Sequence, residues 1–426
     1  MKRTVVAILF VFLMASCLIE VKPVSATSPT ENSWTTKTPM PQAIPGCKAA
    51  VVDGKIYVMG GSANYEYNPV ADNWTARKPM PTPRLFFGIA VYQNKIYTIG
   101  GRNDVSYSVN EVYDPSTDTW ETKQPMPAGA SDLDANVVDG RIYLICKNQN
   151  EVYDISNDSW TTSTPMPYPV CAYASAVLNN KIYVFGGLGS VFCSQTQIFD
   201  PENNSWTLGT PMPTPVPNAA AGATTGVMAP KRIYVFGGDS GFEHLEGSNF
   251  NQVYNPESNT WISGALMPTA RSALTVAVVN DTLYAIGGAP IFISTTTANE
   301  QYYPFGYGTI PAVVSIISPK NTTYTETVVP LSFTVDRPTS WIGYSLDGQD
   351  NITIGGNTTL PSLPNGAHNI TLYAANTGGF FGASETIYFS VAKPEPFPTL
   401  PVAASIASVM LVGVGALIYF RKRKLP

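Results

Sequence analysis

The 426-residue sequence predicts an all-β fold: a six-bladed β-propeller, a β-sandwich, and one membrane-spanning helix at the C-terminal end. Three observations predict it. Six tryptophans, Trp34, Trp74, Trp120, Trp160, Trp206 and Trp261, recur at intervals of 40, 46, 40, 46 and 55 residues, and a period in that range marks a repeat architecture. Residues 311–393 then change texture to short apolar stretches between turn signals. Residues 400–420 carry no charge and are followed at once by Arg421, Lys422, Arg423 and Lys424.

The first 26 residues read as an export signal. Lys2 and Arg3 precede an apolar run from Val5 to Leu18, and Val24-Ser25-Ala26 supplies small residues for cleavage. Met14-Ala15-Ser16-Cys17 loosely resembles a bacterial lipoprotein box, so lipid attachment at Cys17 is the second reading of this end.

Residues 27–308 hold the repeat. A Met-Pro pair follows each tryptophan, at Met40, Met80, Met126, Met166, Met212 and Met267. In the second unit, patterning predicts strands at Phe86–Val91, Lys95–Ile99, Glu111–Asp114 and Trp120–Lys123, with Gln93-Asn94 as a tight turn. A four-stranded unit cannot bury both of its faces, so the units must stack. Trp34 begins a fourth-type strand with no three strands before it. The last unit, Leu274–Ile286 and Asn299–Tyr303, has no tryptophan strand after it. The N-terminal strand at Ser33–Lys37 is therefore expected to close the sixth blade and remove the open edges.

This pattern resembles the kelch repeat of β-propellers. The double glycines are Gly60-Gly61, Gly100-Gly101, Gly186-Gly187, Gly237-Gly238 and Gly287-Gly288, and the downstream aromatics are Tyr67, Tyr113, Tyr153, Phe199, Tyr254 and Tyr302. The third unit departs, with Cys146-Lys147 in place of the glycines. An altered inner loop is expected there, with Cys146 near the channel.

Residues 311–393 resemble the immunoglobulin-like or fibronectin-like modules of archaeal cell-surface proteins, on "SWIGYSLDGQDNITIGGNTTL" and "GASETIYFSV". Strands are expected at Val313–Ser318, Val328–Val335, Trp341–Ser345, Asn351–Ile354, Asn369–Ala374 and Glu385–Val391. A Pro-rich linker, 394–399, leads to the apolar segment 400–420, long enough to cross the hydrocarbon core. The basic tail 421–426 is the positive-inside signal. The bulk of the chain is thus expected outside a cell membrane.

Net charge is −5, and the exported part carries 18 Lys and Arg against 29 Asp and Glu. That balance argues against a nucleic-acid partner, which needs clustered cations. Eight glycosylation sequons stand at Asn73, Asn157, Asn203, Asn280, Asn321, Asn351, Asn357 and Asn369. Cys171 and Cys193 fall in one unit and are the favoured disulfide pair.

No catalytic set is legible. Copper radical oxidases, whose propeller also resembles kelch, need two histidines at one metal. This chain has only His244 and His368, in different domains, both read as ordinary surface residues. Sialic-acid mutarotases resemble six-bladed kelch propellers. A site of that kind would draw on Arg84, Arg102, Arg271, Asp132, Asp134, Glu243 and Glu246, but no residue-by-residue match fixes it. No metal or other cofactor is expected.

What remains is binding. The longest connections after the double glycines, Leu188–Ser194, Asp239–Ser248 and Ala289–Thr297, expose the candidates Phe192, Phe242, Glu243, His244, Glu246 and Phe292. Arg84 and Arg271 follow their Met-Pro pairs at one repeated position, where a structural role and a ligand contact are both open. Arg102 is a further ligand candidate. The reading is a membrane-anchored adhesion or interaction protein that binds protein or glycan through propeller loops. A structural envelope component and a metal-free carbohydrate-active enzyme are the alternatives.

Overall fold

A computed structural model describes residues 29–240, 246–291 and 294–394. The expected signal, anchor and basic tail lie outside the described residues, as do Cys17, Phe242, Glu243, His244 and Phe292. The described residues are all-β, and none of them forms a helix long and apolar enough to cross a membrane.

Six four-stranded antiparallel sheets form the propeller. Blades one to five span 48–76, 88–123, 135–162, 174–209 and 220–263. Blade six takes its inner three strands from 275–303 and its outermost from Ser33–Thr36, with Trp34 opposite Tyr302. In each blade the innermost strand runs from a loop face to a turn face, and the next blade begins again at the loop face.

The tryptophan period has a specific cause. Each indole donates to the main-chain carbonyl that precedes the neighbouring blade's Met-Pro segment: Trp74 to Thr38, Trp120 to Lys78, Trp160 to Gln124, Trp206 to Thr164, Trp261 to Thr210 and Trp34 to Ala265, all at 2.8–3.0 Å. The amide of that same residue donates to an Asp or Asn in the tryptophan's own blade, for example Lys78 to Asp118 and Thr210 to Asn259. Its carbonyl also accepts from a side chain of its own blade, as Asn64 does for Lys78. One residue per junction thus ties two blades together by both of its main-chain groups. Each tryptophan also packs on the aromatic of its own blade, such as Tyr113 with Trp120 at 5.1 Å between centroids.

One expected strand starts late. Phe86 precedes Gly88–Tyr92 and holds φ 54°, because the chain turns there to enter the inner strand.

After Tyr303 the chain enters a second domain of two sheets. Val314–Ser318, Pro330–Val335 and Thr358–Thr359 form one. The other contains Thr339–Leu346, Gly366–Asn376 and Ile387–Val391. Leu331 and Phe333 from the first share a core with Tyr344, Ile370, Leu372 and Phe389 from the second. His368 is not a surface residue: it is buried, with Nδ1 2.8 Å from Asp347 Oδ2 and Nε2 3.0 Å from the Pro364 carbonyl.

This domain docks on the turn face. Blade five replaces its first tight turn with the excursion 224–232, which Asp281 of blade six organises. The buried Asp281 carboxylate accepts five bonds, from the Thr225 amide and hydroxyl and from the amides of Val227, Met228 and Ala229. Arg337 of the second domain reaches the Val227 carbonyl on that excursion and the Ile310 carbonyl at 3.2 Å. Asn376 holds the connecting segment through the carbonyls of Gly308 at 2.7 Å and Ile310 at 2.6 Å.

Candidate functional site

On the opposite face the six blades converge on one feature. Two positions before each innermost strand, or three in blade three, stands Gly46, Phe86, Asp132, Ala172, Asn218 or Ala273, and each has φ between 50° and 61°. The left-handed turn aims each amide sideways at the preceding blade. Phe86 donates to the Gly46 carbonyl, Asp132 to Phe86, Ala172 to Asp132, Asn218 to Ala172, Ala273 to Asn218, and Gly46 to Ala273, at 2.7–3.1 Å. Six main-chain hydrogen bonds form a closed ring around the axis. Five of the six residues carry a Cβ, which costs about 1–2 kcal/mol each in this conformation, so the surrounding packing over-determines it.

Above the ring lies a funnel of about 330 Å³, lined by Pro45, Phe86, Arg102, Asp132, Cys171, Leu188, Asn218, Asp239, Ser272 and Ala289 among others. Arg102 spans one side. Its guanidinium lies 4.6 Å from the Phe86 ring centroid and 3.3 Å from Asp132 Oδ2. Across from it, Asn218 donates to Asp239 at 2.7 Å. Charged, amide and apolar groups therefore share one concave surface, the composition of a small-ligand or side-chain receptor.

Below the ring the axis is plugged. A void of about 30 Å³ separates the funnel from a lower cavity of about 120 Å³. Lys48 pairs with Asp134 across that cavity, and Asp134 also accepts from the Ser175 amide and hydroxyl at 3.1 Å. Asp134 is therefore absorbed in the plug, whereas Asp132 faces the funnel.

The structure separates the sequence candidates. Arg84 and Arg271 are not ligand contacts. They are 1% and 0% exposed, and each is clamped inside a blade. Arg84 meets Glu111 at 2.5 Å and the carbonyls of Thr82, Thr98 and Gly100. Arg271 meets Glu300 at 2.6 Å and the carbonyls of Thr269 and Ala285. Arg102 stays at the mouth. Glu246 is exposed on the blade-five connection, bridged to Ile291 of blade six. Phe192 is half-buried, paired with Leu188, and lines a separate groove of about 380 Å³ in blade four.

Cysteine placement also differs from expectation. Cys171 and Cys193 are free thiols, as are Cys47 and Cys146. Cys171 Sγ points to the Leu188 carbonyl at the funnel, while Cys193 packs with the blade-four core beside Met166 and Val170, so the expected bridge is not formed. Cys171 lines the funnel, and the Cys146 thiol lies 3.9 Å from the Ser131 carbonyl, next to the ring residue Asp132. The altered inner loop of blade three is a two-residue hairpin, Cys146 pairing with Gln149.

Phe86, Asn218, Asp239 and Leu188 also line the funnel and carry no sequence signal as ligand contacts. The ring positions share a backbone conformation and no residue type, so no motif marks them.

These features define a kelch-type β-propeller. Residues 146–288 match the family model of the KLHDC2/KLHL20/DRC7 Kelch-repeats domain, and residues 44–81 and 83–127 match the Kelch motif. The solved structure titled "Structure of YjhT" is similar at TM-score 0.56 and 16% identity, over 71% of this chain and all of that one, which is a likeness of fold. No curated protein matches the chain.

Proposed function

We propose that this chain is a membrane-anchored recognition protein of the cell surface whose propeller binds protein or glycan through the funnel and connections of its loop face. Kelch repeats suggest a protein-binding propeller. The observation that carries the reading is orientation. The second domain docks on the turn face, and the four propeller sequons, Asn73, Asn157, Asn203 and Asn280, are exposed at turn-side positions. Glycans there would leave the funnel side uncovered. The sequence places an anchor beyond the second domain, so the funnel would point away from the membrane. The two-sheet domain serves in this reading as an immunoglobulin-like spacer.

The test is binding of the full chain to a glycan array and to surface proteins of the same organism, with Leu188→Asp and Asp132→Asn compared against Asn157→Gln. Saturable binding lost in the first two variants and kept in the third supports the reading. Binding that all three variants retain places recognition elsewhere.

A further inference from the structure

The propeller repeats one internal recognition unit, and one blade has it incomplete. Blades two and six bind a guanidinium within the blade: Arg84 or Arg271 meets a carboxylate on the third strand, Glu111 or Glu300. A threonine hydroxyl, from Thr82 or Thr269, fills the second carboxylate oxygen at 2.7 Å. Blades four and five replace arginine by Val170 and Val216, and the acid by Gln197 and Gln252. Each glutamine amide bonds both main-chain groups of one residue, Tyr168 or Thr214, at 2.8–3.0 Å. Arginine goes with glutamate, and valine with glutamine. In blade one Ile44 stands at the arginine position and Tyr65 at the acid position, opposite Val58 as Glu111 is opposite Thr98, so that blade has neither half of the pair.

Blade three breaks the rule. Its third strand carries Glu151, opposite Leu144 as Glu111 is opposite Thr98. Ala130 occupies the arginine position, its carbonyl accepting from Gly101 as those of Arg84 and Arg271 accept from Gly61 and Gly238. Ala128 replaces the threonine. Glu151 is 8% exposed, and its Oε2 is buried with no partner among the described residues. A buried acceptor without a partner is uncommon and calls for an explanation. Burial alone pushes the Glu151 carboxyl up.

We propose that Glu151, with the main-chain carbonyls of Ala128 and Leu144, forms a receptor slot that takes a guanidinium group from an arginine side chain of a protein partner. The acceptor set corresponds to the one that holds Arg84 and Arg271, and a planar fork suits a carboxylate flanked by carbonyls better than a point charge does. Access comes from the loop face. Residues 127–129 and 147–149 around the slot are exposed, and the short hairpin leaves it without the long connection that blades two, four, five and six carry. The partner as the arginine's source rests on the functional reading above; the slot itself does not.

The test uses the purified full chain with ethylguanidinium and N-acetyl-arginine amide as probes and N-acetyl-lysine amide as the contrast, followed by calorimetry. The wild type should bind both guanidinium probes several-fold more tightly than the lysine derivative. Glu151→Gln should abolish that preference. Ala130→Arg should abolish it too, by filling the slot from within, and should raise the melting temperature. No guanidinium preference in the wild type, or one that survives both substitutions, overturns the slot. A lower melting temperature for Ala130→Arg also overturns it, since a preformed slot accepts the arginine its sister blades hold. If guanidinium probes bind and Leu188→Asp still abolishes capture of surface proteins, slot and funnel are separate. Failure of the funnel test alone leaves the slot standing.

Discussion

The Gly46 amide donates to the Ala273 carbonyl at 3.1 Å and the Ala49 amide to the Thr275 hydroxyl at 2.9 Å, and these bonds join the first blade to the last at the axis. Ser33–Thr36 joins the same two ends of the repeat at the rim, through its pairing with Asn299–Tyr303. The ring is thus closed at two radii. A Cβ on Gly46 would sit 2.5 Å from the Phe86 ring as well as adopting φ 61°. Gly46→Ala should therefore destabilise the propeller by about 2 kcal/mol or more. Ala273→Gly should be close to neutral, because relief of about 1–2 kcal/mol is offset by the backbone entropy of glycine. Denaturation midpoints of the two variants check this; equal losses would mean that the left-handed turns carry no strain.

The alternation of arginine with glutamate and valine with glutamine predicts an exchange. Arg84→Val alone leaves the buried Glu111 without its cation and should cost about 3–5 kcal/mol. The double variant Arg84→Val, Glu111→Gln rebuilds the arrangement of blades four and five and should recover most of that loss. A double-mutant cycle on unfolding free energies measures it. Additive losses would show that the two solutions are not interchangeable.

The propeller was legible because its inter-blade bonds use a side chain that only tryptophan supplies at that position. An indole must reach a neighbouring blade's carbonyl and also pack on Tyr113 or its equivalents, so the residue type recurs with the blade. The frame of that repeat also put Trp34 in the last blade, where it donates to Ala265. The funnel was not legible in the same way. Its ring is built from main-chain groups of Gly, Phe, Asp, Ala, Asn and Ala, which share φ and nothing in side-chain chemistry. Arg84 and Arg271 showed one repeated position in sequence. Only the register of their blades shows that they point inward to Glu111 and Glu300. His368 read as an exposed residue beside a strand, yet the strand runs from Gly366 and turns the ring onto Phe389 and Asp347.

That histidine gives the second domain a pH dependence. Burial opposes the charged ring, but the Pro364 carbonyl and the Asp347 carboxylate outweigh it and raise the His368 pKa above its ordinary 6.5. A raised folded-state value means that the stabilisation is complete below pH 6.5 and is lost as pH rises through the folded pKa. The protection factors of Ile370 and Leu372, taken against the intrinsic base-catalysed exchange rate at each pH, should therefore fall in the full chain from mildly acidic to mildly basic pH. In His368→Gln that dependence should flatten. An unchanged pH profile in the variant would assign the effect to another group.

Glu151 predicts the opposite kind of variant, one that stabilises. Its carboxyl is held above the ordinary range by burial, and its Oε2 has no partner among the described residues. The folded protein therefore binds a proton more tightly than the unfolded chain, and stability falls as pH rises from about 4.5 through the folded pKa. Glu151→Gln removes the ionisation and places in blade three the side chain that blades four and five use. The variant should match or exceed the wild type in stability at pH 7–8, and the gap should narrow toward pH 4.5. Thermal unfolding of both proteins across that range is the measurement. A wild type that is more stable at pH 8 would mean that Glu151 already has a cationic partner in the protein, and the blade-three slot would then be occupied from within.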